Sequence, residues 1–194
     1  MAEHRPSLRE FQAQLAERLQ SAARGETLSK LGILAGGRHW LIDLNEISEV
    51  VTVAEIVPLP WAKPWFLGLA SVRGVIYGCT DLARFLGLDQ DHARGENRLL
   101  LAHLRFGVNA ALRIERTLGL RNPVQMTQAE RPANAPPWEG ALWRDSEGQL
   151  WTELSVERLV ATPQFLDVAA EVWGPAVTAS AITPERDPPR PVPY

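Results

Sequence analysis

Short apolar runs, broken at regular intervals by turn-forming residues, most constrain how this chain can fold. Between residues 30 and 162 each run is only a few residues long, and Gly, Pro, Asn and Asp stand between the runs. LGILAGGRHWLIDL places Gly36-Gly37 between two runs, and GALWRDSEGQLWTEL places a turn at 145–148, which is typical of β-hairpins. The pattern predicts an all-β fold of one or two small barrels.

The remaining strand predictions fall between and beside these hairpins. A turn at 107–109 predicts another hairpin, between NRLLLAHL and AALRIERTLGL. The stretch ASVRGVIYGCTDL, residues 70–82, is interpreted as one mostly buried strand with an Arg-Gly pair near its start. The proline-rich 57–66 predicts an irregular extended connection, and 122–137 predicts a long loop.

Helices are predicted at three places. Leu8, Phe11, Leu15 and Leu19 recur at helical spacing, which indicates an amphipathic helix over 7–24. DLARFLGL at 81–88 indicates a helical turn, and SVERLVATPQFLDVA indicates a short helix from Ser155 that Pro163 interrupts. The expected organisation is an N-terminal helix and linker over 1–28, a β domain over 29–172 and a flexible Pro-rich tail over 173–194.

Composition narrows the classes of function. A net charge of −3 disfavours nucleic acid and anionic membranes as partners. The single cysteine, Cys79, excludes an internal disulfide, and its apolar neighbours predict a buried, unreactive thiol. No signal peptide is recognisable, and no window approaches the roughly 18 apolar residues of a transmembrane helix. We therefore expect a cytoplasmic protein without direct membrane insertion.

No motif indicates catalysis. The histidines fall in no metal-ligand spacing, and the sequence has neither a nucleophile elbow nor a Gly-rich phosphate loop. The expectation is a non-enzymatic protein with no metal and no cofactor. The seven tryptophans are either core residues or anchors for a partner. Two alternatives stay open: an enzyme whose cleft the sequence does not reveal, and a nucleic-acid-binding barrel that uses Arg105, Arg113, Arg116 and Arg121.

An ordered set of motifs resembles the CheW domain, the coupling module of bacterial chemotaxis arrays. LIDLNEISEV resembles a strand of that family, with Ile47 and Glu49 at the matching positions. EIVPLPWAKPWFLGLASVRG resembles its proline-rich run that ends in Arg-Gly, and GVIYGCTDLARFLGL resembles the run that follows. WTELSVERLV resembles the closing strand and short helix. The resemblance covers 31–162 and is greatest to adaptors of chemosensory systems that control type IV pili and twitching motility.

The resemblance implies a CheW-like fold of two intertwined small five-stranded β-barrels, with an added N-terminal helix and a short C-terminal helix. It implies a scaffold in a two-component chemosensory system, recruited to membrane-associated receptor arrays. Its partners would be the regulatory domain of a CheA-type histidine kinase and the cytoplasmic tip of a methyl-accepting chemoreceptor. The alternative is a diverged small-barrel module with another protein or nucleic-acid partner.

The resemblance also implies a protein-binding surface. In the family, the arginine that matches Arg73 pairs with the glutamate that matches Glu49 at the partner-facing surface; the alternative is a purely structural pair between strands. Because ISEVVTV alternates, Ile47, Glu49 and Val51 are expected on one strand face. The predicted protein-binding residues are Ile47, Glu49, Val51, Gly68, Arg73 and Gly74.

Glycines and two departures from the family pattern bear on this surface. Gly74 is expected where the backbone bends or is approached closely, and Gly68 is expected to do the same on the preceding turn. Ser71 stands where the family often has Asn, and Gly78 stands where it usually has Pro. Because Gly restores a backbone N–H and loosens a strand, Gly78 raises the question of whether the edge of the binding groove keeps its shape.

Overall fold

The structure is a computed structural model that describes residues 29–53, 55–88 and 97–170. The predicted helix over 7–24, the linker up to residue 28 and the tail over 173–194 lie outside these residues. The described chain forms two β-sheets. No helix in this described part is long and apolar enough to cross a bilayer.

The first sheet has six strands: β1 (Lys30–Ala35), β2 (Arg38–Asp43), β8 (Arg116–Arg121), β9 (Thr127–Ala129), β10 (Glu139–Arg144) and β11 (Leu150–Leu154). Their order in the sheet is β8-β1-β2-β11-β10-β9. The second sheet has five strands: β3 (Ile47–Val53), β4 (Phe66–Val72), β5 (Val75–Asp81), β6 (Asn97–Ala102) and β7 (Ala110–Ile114). Their order is β3-β6-β7-β5-β4.

The chain passes from the first sheet to the second and back again, so the two halves are intertwined. Strands β1 and β2 open the first sheet, β3 to β7 build the second, and β8 to β11 complete the first. The return pairs β11 with β2 in parallel, and within the second sheet β7 likewise pairs with β5 in parallel. The predicted all-β fold with two intertwined halves is therefore confirmed. The first sheet has a sixth strand because Thr127–Ala129, within the predicted 122–137 loop, pairs with β10.

The largest core lies between the two sheets. Trp40 and Ile42 of β2 are fully buried there against Leu100 and Leu112 of the second sheet. Each large apolar side chain buried in this way contributes about 1.5–3 kcal/mol to folding. The Trp40 Nε1–H is not left unpaired, since it donates to the Ala35 carbonyl at 3.1 Å. This core therefore joins the two sheets into one unit.

The short helices lie within the segments where the sequence predicts them. Helix α1 (Leu82–Phe85) is capped by Asp81, whose Oδ1 accepts from the Arg84 N–H at 3.2 Å. Helix α2 (Val156–Val160) is capped by Ser155, which accepts from the Arg158 N–H at 3.3 Å. Pro163 ends this run and opens a further helical turn, α3 (Pro163–Leu166), because proline suits the first helical position.

The interpretation of residues 70–82 as one strand is wrong. Arg73 and Gly74 are the two residues of a hairpin turn, and Val72 pairs directly with Val75 across it. Their φ angles are 50° and 82°, and a type I′ turn requires positive values at both positions. Gly adopts this conformation freely, whereas Arg does so only at a cost. Of the two turn positions, only Gly74 therefore has a residue typical of a type I′ turn. Two strands of the second sheet therefore replace the single predicted strand.

Candidate functional site

The site is built around an ion pair between two outer strands of the second sheet. Glu49 lies in β3, and Arg73 lies in the β4–β5 turn; Arg73 Nη2 is 2.9 Å from Glu49 Oε2. Since β3 and β4 are the first and last strands of this sheet, the pair connects its two ends. The resemblance placed these residues together, and the geometry agrees.

Stability alone does not explain an arginine at this turn. The Arg73 side chain is 78% exposed, and an exposed ion pair contributes about 0–1 kcal/mol. A side chain held in the left-handed region costs roughly 1–2 kcal/mol. The conformational cost at Arg73 therefore equals or exceeds the stabilisation that the ion pair contributes. Strained residues of this kind are concentrated at functional sites.

A groove of about 550 Å³ lies beside the ion pair. One wall is the end of β3, and the other is formed by residues 69–73, at the end of β4 and its turn. Val51 and Val53 of this groove also pack against the small core of the second sheet. Glu55 and Arg73 add charge at its border. The groove thus combines an apolar floor with charged groups, which suits a protein segment.

Gly68 does not line the groove but allows one of its walls to form. It has φ 128° and lies within β4, not in a turn as predicted. A Cβ at this position would overlap the backbone carbonyl of Val57. Val57 and Leu69 exchange two backbone hydrogen bonds, both of 2.8 Å. Gly68 therefore allows the chain around Val57 to lie against β4 and form part of the groove wall.

Gly74 allows the backbone to bend, which is one of the two roles predicted for it. No atom lies within 4 Å of the position that a Cβ would occupy there. Its φ of 82° is the requirement, because the second turn position needs a left-handed residue. Gly74 thus allows the backbone to bend, and close approach is not involved.

The placement of Ile47 on the same face as Val51 is wrong. A β-bulge shifts the pairing of β3 with β6 between Ile47 and Glu49. Because a bulge adds one residue, it moves Ile47 to the opposite face. Ile47 packs against the core between the sheets, as Val50 does, whereas Val51 packs against the core of the second sheet. Ile47 therefore does not line the groove.

Several lining residues were not predicted as site residues from the sequence. Besides Val51 and Arg73, the groove is lined by Thr52, Val53, Glu55, Val57, Leu69, Ala70, Ser71 and Val72. The irregular connection gave no sign that Val57 would pair with β4. The Arg-Gly dipeptide, taken as a turn signal, could have indicated the hairpin and hence the neighbouring side chains.

The structure explains Gly78. Its backbone N–H donates to the Asn109 carbonyl at 2.9 Å, a bond that proline could not make. The Phe66 ring lies 3.2 Å from the position of a Cβ, so a larger residue would displace it. Gly78 does not line the groove, whereas Ser71 does. Of the two departures from the family pattern, only Ser71 changes the groove surface itself.

The other candidates for chemistry contribute little here. Cys79 is buried as predicted, and burial raises the pKa of its thiol to about 11; its low reactivity stays a prediction. Across 29–53, 55–88 and 97–170, no group of three or more His, Cys, Asp and Glu residues could hold a metal ion.

The arginines and tryptophans that were considered as binding residues have different surroundings. Arg113, one of the arginines considered for nucleic acid, is paired with buried Asp81. Trp61 is 73% exposed with φ 54°, whereas Trp151 is buried in the first sheet.

Comparison with known proteins defines the class. The model of the CheW-like domain matches residues 30–164, and the chain belongs to this family. Its sequence is 31% identical to Protein PilI of Pseudomonas aeruginosa over 149 residues, covering 74% of this chain and 82% of that protein. Its structure resembles the scaffolding protein TtCheW of Thermoanaerobacter tengcongensis, with a TM-score of 0.57 and 14% identity over 70% of this chain and 94% of that one.

Proposed function

We propose that this chain is a non-catalytic adaptor that couples chemoreceptors to a CheA-type histidine kinase. Its partners would be the kinase regulatory domain and the cytoplasmic tip of a methyl-accepting chemoreceptor within a receptor array. The similarity to PilI supports a chemosensory system that controls type IV pilus twitching motility. The single observation that carries the proposal is the strained, exposed Arg73, which is held by Glu49 beside an apolar groove.

The geometry suits coupling without chemistry. The guanidinium of Arg73 has five donors, and Glu49 engages it from one side only, so donors remain for a partner carboxylate or carbonyl. Val51 and Val57 offer apolar area in the adjacent groove. Arg and buried apolar contacts are the groups that dominate affinity at protein interfaces. A partner bound here would therefore be oriented by Arg73 and held by the groove.

Binding of the purified full chain to the kinase regulatory domain and to a receptor-tip fragment tests the proposal. Arg73→Glu reverses the charge at the groove, and Arg158→Glu is a matched control on an exposed arginine of helix α2, outside the groove. We expect Arg73→Glu to weaken at least one of the two complexes by tenfold or more, since that corresponds to about 1.4 kcal/mol. Arg158→Glu should leave both unchanged, and melting curves check folding.

The outcomes separate the parts of the proposal. Saturable binding of the wild-type chain to both fragments supports coupling, and loss with Arg73→Glu assigns the groove. Binding to both fragments that Arg73→Glu leaves unchanged would refute the assigned surface. If the folded wild-type chain binds neither fragment, the adaptor proposal fails, and the module has diverged to another partner.

A further inference from the structure

A second cleft opens on the first sheet, away from the Glu49–Arg73 groove, with a volume of about 350 Å³. Its walls are β8, the single turn Pro123–Gln125 that follows it and the turn between β10 and β11. Clefts of this size are large enough to accept a side chain with its neighbours. The family resemblance assigns no residue to it, and its lining includes none of the predicted binding residues.

Trp151 is buried in the wall of this cleft and is held there by several contacts. Its indole N–H donates to Asp145 Oδ2 at 2.8 Å. Its ring packs so closely on Gly32 that a Cβ there would lie 2.9 Å away. The Arg121 guanidinium lies over the ring, 5.0 Å from the centroid, and the His39 ring meets it edge-on at 4.9 Å. A cation–π contact of this kind limits the orientations of Arg121.

The polar groups of the cleft have unused capacity to bind an acceptor. Asp145 accepts from the indole and from the backbone N–H groups of Glu147 and Gln149 at 3.0 and 2.9 Å. The bond from Trp151 is the main reason that the pKa of Asp145 is lowered, so this carboxylate is ionised but already engaged. Among the described residues, the Arg121 guanidinium has no hydrogen bond or ion pair, although its charge helps to lower the pKa of Asp145, and the buried His39 Nδ1 has no hydrogen-bond partner.

Two large apolar side chains are exposed at or next to the cleft. Leu120 of β8 lines the cleft and is 62% exposed, and Val124, which precedes the lining residue Gln125 in the following turn, is 71% exposed. Large apolar side chains around a polar pocket are typical of a protein contact and would be covered only by a partner of some size. Asp145 and Glu147 also lie at the cleft, so a run of several acidic residues would be repelled. A single carboxylate between apolar residues fits both conditions.

We propose that this cleft docks a partner protein through one acidic side chain, whose carboxylate binds the Arg121 guanidinium while its apolar neighbours cover Leu120 and Val124. Arginine binds carboxylates with two parallel hydrogen bonds, and the guanidinium of Arg121, which lies over Trp151, lines the cleft. The docking site would be independent of the Glu49–Arg73 groove, because it lies on the other sheet. The chain would then present two separate surfaces for protein partners.

Nuclear magnetic resonance titration of the full chain tests this directly, with the Trp151 indole N–H and the Leu120 methyl groups as reporters. The probes are the blocked peptide Leu-Ser-Glu-Ser-Leu, its counterpart with Gln in place of Glu, and sodium acetate at the same ionic strength. We expect saturable shifts of both reporters with the Glu peptide and at least about tenfold weaker binding of the Gln peptide, since a charge-assisted bond is lost.

A matched pair of variants localises the effect. Arg121→Gln should weaken binding of the Glu peptide about tenfold. Arg105→Gln should leave it unchanged, although Arg105 is likewise stacked at 5.0 Å, on Phe106. The proposal is overturned if the two peptides bind equally or if neither gives a saturable shift. It is also overturned if acetate shifts the Trp151 resonance as strongly as the Glu peptide does while the Leu120 resonances stay unchanged. If Arg121→Gln does not fold, the comparison of peptides on the wild-type chain decides.

Discussion

Replacing Arg73 with Asn should separate the stability of the β4–β5 turn from its function. The side chain lost is 78% exposed, so its ion pair with Glu49 contributes about 0–1 kcal/mol, nearer the lower end after solvent screening. The φ of 50° costs an ordinary side chain roughly 1–2 kcal/mol. Asn tolerates this region, and Asn-Gly is a favoured type I′ pair. The free energy of unfolding should therefore stay level or rise by up to about 1 kcal/mol.

Urea unfolding gives the stability, and titration with the kinase regulatory domain and the receptor tip gives the function. We expect Arg73→Asn to melt no earlier than the wild-type chain and yet to bind at least one partner more weakly. Glu49→Gln is the matched control, because it removes the ion pair but leaves the strained residue in place. It should lower the free energy of unfolding by less than about 1 kcal/mol. A loss of more than about 1.5 kcal/mol in Arg73→Asn would refute the reasoning and make Arg73 a structural residue.

Three further outcomes follow from the geometry. Gly68→Ala should destabilise the fold by more than Gly148→Ala, because only the former meets backbone, as urea unfolding of both would show; equal losses would contradict the close approach. Gly78→Pro should lower the melting temperature, since it removes the hydrogen bond to Asn109, and an unchanged melt would contradict that role. The Cys79 thiol should resist iodoacetamide in the native chain at pH 8. Because its folded pKa is raised to about 11 from 9.0, its contribution to stability should fade as pH rises between these values, and rapid native labelling would contradict its burial.

The elements that the sequence predicted are those with local signals. Gly36-Gly37 forms the first hairpin turn with φ values of 61° and 67°, because two glycines permit a conformation that few other residues accept. Ser155 and Asp81 cap their helices because a side-chain oxygen can satisfy a free N–H within one turn. Each of these features depends only on neighbours a few residues away. Local sequence is therefore sufficient to locate them.

The errors occurred where distant residues decide. An alternating apolar pattern does not reveal a bulge, so Ile47 was assigned to the wrong face of β3. The strand Thr127–Ala129 exists because β10 provides a partner, not because its own residues favour a strand. The turn at Arg73 was not recognised because only Gly74 carries the usual signal. In each case a pairing across the sheet outweighs the local preference.

The sequence by itself determined the class of fold and the resemblance to the family, and that resemblance implied the pairing of Glu49 with Arg73. Fold class and resemblance are readable because hydrophobic period, turn residues and motif order are properties of the chain in one dimension. Only the tertiary structure decided that Arg73 is a strained turn residue, that Val57 closes against Gly68, and that Arg121 stacks on Trp151 beside an unpartnered His39 nitrogen. Grooves and unused donors are properties of surfaces, and these form only when strands far apart in the sequence come together.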